Sequence, residues 1–435
     1  MKRLLMGQLK AWKNKKNRKP LLIRGARQVG KTWLMKEFGR QNFEKVVYIS
    51  FDNNERMKSV FEMDFDIPRI ISALKVESGV KIESQNTLLI FDEIQEVPKA
   101  LTCLKYFCEN APEYAIICAG SLLGVALHEG TSFPVGKVDF LNLYPMSFRE
   151  FLLAAGEDEL AEFLNQQDYE MISIFSDKYA DLLRKYYYVG GMPEVVSTWL
   201  ETDDMYEVRN IQQELLSYYA NDFSKHAPTE TVPRIQMVWN SIPMQLTKEN
   251  KKFIFGMVRE GARAKDFELA IQWLLDCGLI QKGYRVSKPG LPLIAYMEMN
   301  TFKLYFLDVG LLTAMCELDA RTLLEGNRIF TEFKGALTEQ FVAQELAASG
   351  ISLYYYSTEN SSGEIDFVVQ AGGRIIPIEV KAEENLQAKS LRSYCQKYKP
   401  EIAVRTSMSK YREQDWMVNV PLYALTAYLE NIQKK

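Results

Sequence analysis

The segment Gly25-Ala26-Arg27-Gln28-Val29-Gly30-Lys31-Thr32 fits the pattern G-x-x-x-x-G-K-[ST], and its flanks restrict the fold more than any other part of the chain. Leu21-Leu22-Ile23 before it reads as a buried strand, and Trp33-Leu34-Met35 with Phe38 after it continues as a helix. In a strand–loop–helix of this kind, successive backbone N–H groups of the loop point at phosphates. Glycine accepts the backbone conformations the tight loop needs, and the helix adds the positive end of its dipole. Gly25 to Thr32 are therefore expected to hold a nucleoside triphosphate, with ATP as the expected one. Lys31 would reach the β and γ phosphates, and Thr32 would offer its hydroxyl to Mg²⁺.

Three further apolar runs follow: Val46-Val47-Tyr48-Ile49, Leu88-Leu89-Ile90-Phe91 and Ala115-Ile116-Ile117-Cys118. Short continuous runs separated by helical stretches suit strands buried on both faces of a mainly parallel α/β sheet. The second run ends in Asp92-Glu93, the Walker B pattern. Asp92 is placed to hold Mg²⁺, mostly through water, and Glu93 to act as general base on the attacking water. The third run ends in Ala119-Gly120-Ser121. Ligands of open α/β sheets sit beyond the strands' carboxyl ends, so Ser121 reads either as a γ-phosphate sensor or as an ordinary turn residue. An ATPase switched by assembly would need an arginine finger. Arg149 is one candidate, and the sequence does not choose among them.

With 435 residues, 47% hydrophobic and 25% charged, the chain has core material for two to four domains. The net charge of -3 gives no global attraction for nucleic acid or an anionic membrane. Six cysteines without a C-x-x-C pair, and only two histidines, argue against zinc and read as reduced residues of a cytoplasmic protein. No secretory signal or membrane span is expected. Residues 1–19 hold eight basic residues and no acidic one. They read as a helix packing through Leu5, Leu9 and Trp12, with a polyanion-binding arm as the other reading.

Gly25 to Thr32, Phe91-Asp92-Glu93-Ile94-Gln95, Ala119-Gly120-Ser121 and Tyr144-Pro145-Met146-Ser147-Phe148-Arg149-Glu150-Phe151 together resemble one prokaryotic group. Its members are AAA-type P-loop ATPases with a C-terminal domain of unknown function related to PD-(D/E)xK nucleases. Gly136-Lys137 stands where the group usually has Gly-Arg, which weakens the expectation of a trans-acting arginine there. The resemblance implies an AAA-type domain over 1–150, a helical segment with a winged-helix-like region over 151–325, and a restriction-endonuclease-like α/β domain over 326–435.

In the middle segment, Tyr188-Val189-Gly190-Gly191-Met192-Pro193 marks a turn between helices, with no chemical role evident. Helices over 250–262 and 266–277, then a hairpin of Gln281–Val286 with Leu293–Met297, trace the outline of a winged helix. Asp266, Glu268 and Asp276 make the second helix too acidic to suit DNA. A packing or protein-contact role is favoured over DNA binding.

In 326–435, Glu339 is expected on an amphipathic helix with Phe333, Leu337, Phe341 and Leu346. A hairpin of Gly363–Val369 with Ile375–Lys381 brings Asp366, Glu379 and Lys381 together. Asp366 and Glu379, helped by Glu339, would form a hard-cation site for Mg²⁺ or Mn²⁺, and Lys381 would orient the nucleophile or offset developing charge. Asp366 and Glu379-Val380-Lys381 match the PD-(D/E)xK core of the resembled nucleases. With thirteen basic and thirteen acidic residues, this segment offers DNA no net positive field. Two readings stand: an ATPase controlling a metal-dependent nuclease, or an ATPase with a non-cleaving scaffold that binds protein or DNA. The partners in view are ATP, DNA, and a protein partner or second copy of the chain.

Overall fold

The computed structural model describes residues 1–120, 133–248, 251–324, 331–358, 363–382 and 388–434. Ser121, the candidate sensor, lies outside them. The chain forms two units: Lys2–Tyr144 with Asp276–Gly278, and Pro145–Leu275 with Leu279–Lys435 and Met1.

The N-terminal unit is built on five parallel strands, β1 (Leu21–Arg24), β2 (Lys45–Ser50), β3 (Thr87–Asp92), β4 (Ala115–Ala119) and β5 (Asp139–Asn142). Their order is β2-β3-β4-β1-β5. β3 and β4 are buried at every residue, as their unbroken apolar runs require of central parallel strands. The edge strands β2 and β5 alternate or fall off in burial. Helix Ile67–Ser78 shows how local chemistry sets the boundaries. The Asp66 side chain accepts from the Arg69 N–H at 2.9 Å, and Gly79 closes the helix at φ +68°. Phe51, Phe61 and Phe91 pack edge-to-face at 5.4–5.9 Å in the core. The N-terminal helix, Leu5–Lys13, buries Leu9 and Trp12, and the Trp12 ring lies 6.4 Å from Phe38.

The C-terminal unit begins with helices from Phe148–Ala154 to Val232–Leu246 and continues into two sheets. One contains β6 (Ile280–Val286), β7 (Met297–Phe306), β8 (Tyr354–Ser357) and β9 (Glu364–Ile365), in the order β7-β6-β8-β9. The other contains β10 (Phe367–Ala371), β11 (Arg374–Val380), β12 (Val404–Ser407), β13 (Arg412–Gln414) and β14 (Met417–Pro421), in the order β10-β11-β12-β14-β13. β6 pairs with β8, so the segments 151–325 and 326–435 share a sheet.

Three expectations need correction. Among the described residues of the helix expected over 250–262, only the turn Phe255–Val258 forms, because Gly256 weakens the segment and Gly261 turns it at φ +73°. The hairpin's second strand is β7, preceded by a short 3-10 turn at Leu293–Tyr296. The helix bearing Glu339, Thr331–Ala348, is central rather than amphipathic: every residue from 336 to 347 is buried. Its polar side chains from Thr338 to Glu345 face protein partners instead of water. Gln340 accepts from the Phe306 N–H at 2.8 Å and donates to the Phe306 carbonyl at 2.7 Å. Gln344 accepts from the Val309 N–H at 2.8 Å, and Glu345 from the Phe148 N–H at 2.8 Å. Buried polar groups persist where they are paired in this way.

Candidate active site

The first candidate site lies where β1 meets helix Lys31–Asn42. Gly25 has φ +150°, and a Cβ there would stand 2.1 Å from the Leu143 carbonyl oxygen. Only glycine lets the loop lie so close to the chain leaving β5. Gln28 and Gly30 also take positive φ, at +63° and +92°, which shapes the turn into the helix. The Lys31 ammonium is buried and donates to the carbonyls of Gly25 at 2.9 Å and Ala26 at 2.7 Å. Burial brings its pKa down to about 8, with Glu93 and Asp92 pulling upward and Arg27 downward.

β3 delivers Asp92 to the same place. The Thr32 hydroxyl donates to Asp92 Oδ2 at 2.6 Å, and the Tyr48 hydroxyl donates to the same oxygen at 3.0 Å. The Glu93 N–H donates to Asp92 Oδ1 at 3.2 Å. A hydroxyl and a carboxylate converging beside the phosphate loop are the hard oxygen donors that suit Mg²⁺. Glu93 sits at φ +50°, a left-handed conformation that is strained for a non-glycine residue. Its Oε2 accepts from Gln95 Nε2 at 2.6 Å, which fixes the carboxylate's orientation. β4 lies between β1 and β3, and its carboxyl end leads to Ser121.

Two contributors escape a sequence reading. Arg3 donates to the Val29 carbonyl at 2.8 Å and to the Tyr144 carbonyl at 2.6 Å, tying the N-terminal helix to the loop. Tyr48 reads as one more apolar strand residue, yet burial and Asp92 push its phenol up to about 12. Arg149, the arginine-finger candidate, forms a two-pronged pair with Glu430 at 3.2 Å for each contact, within the C-terminal unit. Lys137 pairs with Glu109 at 2.8 Å.

The C-terminal carboxylates are engaged differently. Glu379 accepts from the Leu391 N–H at 2.9 Å through Oε2 and pairs with Lys381 at 2.7 Å through Oε1. Asp366 Oδ2 accepts from the Val380 N–H at 2.8 Å, between those two residues in sequence. Burial, and then the charge of Glu339, raise Asp366 to about 7 against the pull of Lys303 and Lys251. Glu339 turns to other partners. Its Oε1 accepts from Lys303 Nζ at 3.0 Å and from the Tyr305 hydroxyl at 2.7 Å, and its Oε2 pairs with Lys251. Burial alone would raise Glu339, but Lys251 and Lys303 outweigh it and hold the carboxyl at about 2. Lys303 also donates to Glu364 at 2.5 Å. The three carboxylates expected around one or two hard cations thus have different partners here, Asp366 at the Val380 N–H, Glu379 at Lys381 and the Leu391 N–H, and Glu339 at Lys303, Lys251 and Tyr305. Among the described residues, no group of three His, Cys, Asp or Glu side chains is arranged to hold a metal ion. Sequence reasoning missed Lys251, Lys303 and Tyr305, which come from segments with no nuclease-like spacing, and gave no role to Glu364, two residues before Asp366.

Residues 17–152 match a family of AAA domains, and this part of the chain is a P-loop domain of AAA type. Residues 180–322 and 334–425 match two domains of unknown function, DUF8612 and DUF4143. No curated protein matches the chain. Among solved structures, the chain is similar to a Walker-type ATPase of Pyrococcus abyssi at 15% identity, covering 72% of this chain and 94% of that one, with a TM-score of 0.44. It is similar to the Aeropyrum pernix ORC1 protein, solved in complex with DNA, at 14% identity, covering 72% and 90%, with a TM-score of 0.26. The A. pernix ORC2 protein in its ADP form gives 13% identity, 78% and 93% coverage, and a TM-score of 0.30. No helix among the described residues is long and apolar enough to cross a membrane.

Proposed function

We propose that this protein is an ATP-hydrolysing switch whose C-terminal unit is a binding module and does not cleave nucleic acid. The observation that carries the ATPase reading is the 2.6 Å contact between the Thr32 hydroxyl and the Asp92 carboxylate beside the phosphate loop. Bound there, Mg²⁺ would supply charge neutralisation for the phosphates.

This chain's residues do the rest. The backbone N–H groups from Ala26 to Thr32 cradle the phosphates. Lys31 exchanges its two loop carbonyls for phosphate oxygens, and its charged form is favoured once those anions face it. Glu93, oriented by Gln95, accepts the proton of the water that attacks the γ phosphorus, while the bond to the β–γ bridging oxygen breaks. Ser121, following β4, is the residue we assign to sense the γ phosphate.

The non-cleaving reading of the C-terminal unit is favoured over nuclease control by the partners of Glu379, whose two oxygens are taken up by Lys381 and the Leu391 N–H. In this reading Asp366, Glu379 and Lys381 organise the fold around β11, and ATP turnover governs what the module holds. A protein partner or a second copy of the chain suits it better than DNA does, because residues 326–435, with thirteen basic and thirteen acidic residues, offer no net positive field.

Two assays test this. Lys31→Ala should abolish Mg²⁺-dependent ATP turnover, and turnover equal to wild type would overturn the ATPase assignment. Wild type, Asp366→Ala and Lys381→Ala should leave circular DNA equally intact with Mg²⁺. Cleavage by wild type that both changes remove would restore the nuclease reading.

A further inference from the structure

Lys303 is fully buried, with its ammonium 3.0 Å from Glu339 Oε1 and 2.5 Å from Glu364 Oε1. Lys251 binds the other oxygen of Glu339, and Tyr305 donates a third hydrogen bond to that carboxylate. We propose that the ammonium groups of Lys303 and Lys251 stand where a divalent cation would stand among Glu339, Glu364 and Asp366, so that this cluster is neutralised from within and takes up no metal. The inference rests on reading the C-terminal unit as non-cleaving and supplies the physical reason for it.

The origin of the residues matters. Both lysines and Tyr305 lie outside 334–425, while Glu339, Glu364 and Asp366 all lie inside it. The carboxylates of this cluster are therefore countered by cations from another stretch of chain, held by β7 and by the residues ahead of Phe255–Val258. A carboxylate offers its two oxygens to N–H donors and to a metal through the same lone pairs. In Glu339, charge-assisted bonds from two ammonium groups and a phenol already use three of about four such sites.

The arrangement is also locked. A hard dication entering the cluster would have to expel Lys303, and that ammonium would then be buried without its counter-charges. Removing the lysine leaves the opposite imbalance, an excess of buried negative charge that a metal could relieve. Thus the cluster should bind a dication only once the built-in cation is gone.

The test is a Mn²⁺ titration of the full chain without nucleotide, followed by the electron-spin signal of free Mn²⁺. Wild type and Asp366→Asn should bind the same number of ions, which removes any contribution from the phosphate loop. Lys303→Met should melt at a lower temperature than wild type and gain one bound Mn²⁺ per chain. That ion should raise its melting temperature, and adding Asp366→Asn should eliminate it. One Mn²⁺ per wild-type chain that Asp366→Asn removes would overturn the proposal. If Lys303→Met does not fold, the comparison of wild type with Asp366→Asn still decides. DNA cleavage in EDTA by a wild type that passes this test would sink the non-cleaving reading and leave the internal cation intact.

Discussion

The backbone N–H of Gly191 donates to Asp308 Oδ2 at 2.6 Å, joining a helix–helix turn to a carboxylate 117 residues away in sequence. A Cβ on Gly190 would lie 2.1 Å from Asp308 Oδ1, and a Cβ on Gly191 would lie 2.1 Å from the Met146 carbonyl. The Met146 N–H in turn donates to the Gly191 carbonyl at 2.6 Å. Tyr188–Pro193 is therefore a clasp between the segment entering the C-terminal unit and the helix capped by Asp308 (Val309–Met315). Gly190, at φ +77°, has both a positive φ and a close neighbour.

Gly190→Ala should accordingly destabilise the C-terminal unit by about 3 kcal/mol or more, since it adds backbone strain to a steric clash with a carboxylate. Chemical denaturation checks this. Gly79→Ala, at a helix end where nothing stands within 4 Å of the added Cβ, is the control and should lose about 1 kcal/mol.

Nucleotide affinity should fall as pH rises through about 8, where Lys31 loses its proton in the free protein. The triphosphate raises the pKa of Lys31, so binding above that pH takes up a proton and weakens by as much as about tenfold per unit. The same lowered pKa acts on folding with the opposite sign. Between about 8 and 10.4 the unfolded chain binds more protons, so this residue's contribution to stability rises with pH. Titrating ATP affinity from pH 7 to 9 by calorimetry in buffers of different ionisation enthalpy measures the proton uptake directly.

Glu345 is buried, and desolvation pushes its carboxyl up to about 8, with the Phe148 N–H and Arg149 pulling downward. The folded protein keeps this proton where the unfolded chain releases it, above about 4.3. Stability therefore declines with pH between those values, by at most about 1.4 kcal/mol per unit, and levels off above about 8. Glu345→Gln keeps an acceptor for the Phe148 N–H and removes the titration. Its stability relative to wild type should grow steadily from pH 5 to 8 in urea denaturation.

Arg149→Ala should cost about 1–2 kcal/mol of stability through loss of its two-pronged pair with Glu430. It should leave the rate of ATP turnover per folded molecule within about twofold, unlike loss of an arginine finger, which lowers turnover about a thousandfold or more. Melting temperature and steady-state turnover, measured on the same preparation, separate these outcomes.

The legibility of this chain follows the range of its interactions. The phosphate loop and Asp92-Glu93 were readable because their chemistry is local: glycines at fixed spacing, a strand before, a helix after. The apolar runs gave β1, β3 and β4 because a strand buried on both faces has no polar positions to confuse its pattern. The central helix misled for the opposite reason. Its glutamines and glutamates mimic a wet face, and only tertiary partners such as Phe306, Val309 and Phe148 show that they are inside. The lysines that neutralise Glu339 were invisible because an ion pair spanning 36 or 88 residues leaves no spacing rule behind.

In the proposed ATPase cycle, Glu93 activates water while the phosphate loop holds ATP independently of it. Glu93→Gln should keep ATP affinity within about threefold, because its carboxylate is not among the groups placed on the phosphates, yet lose Mg²⁺-dependent turnover by about a hundredfold or more. Measuring Kd and kcat on that one variant separates the two roles. Turnover at the wild-type rate, with affinity unchanged, would contradict the role of Glu93.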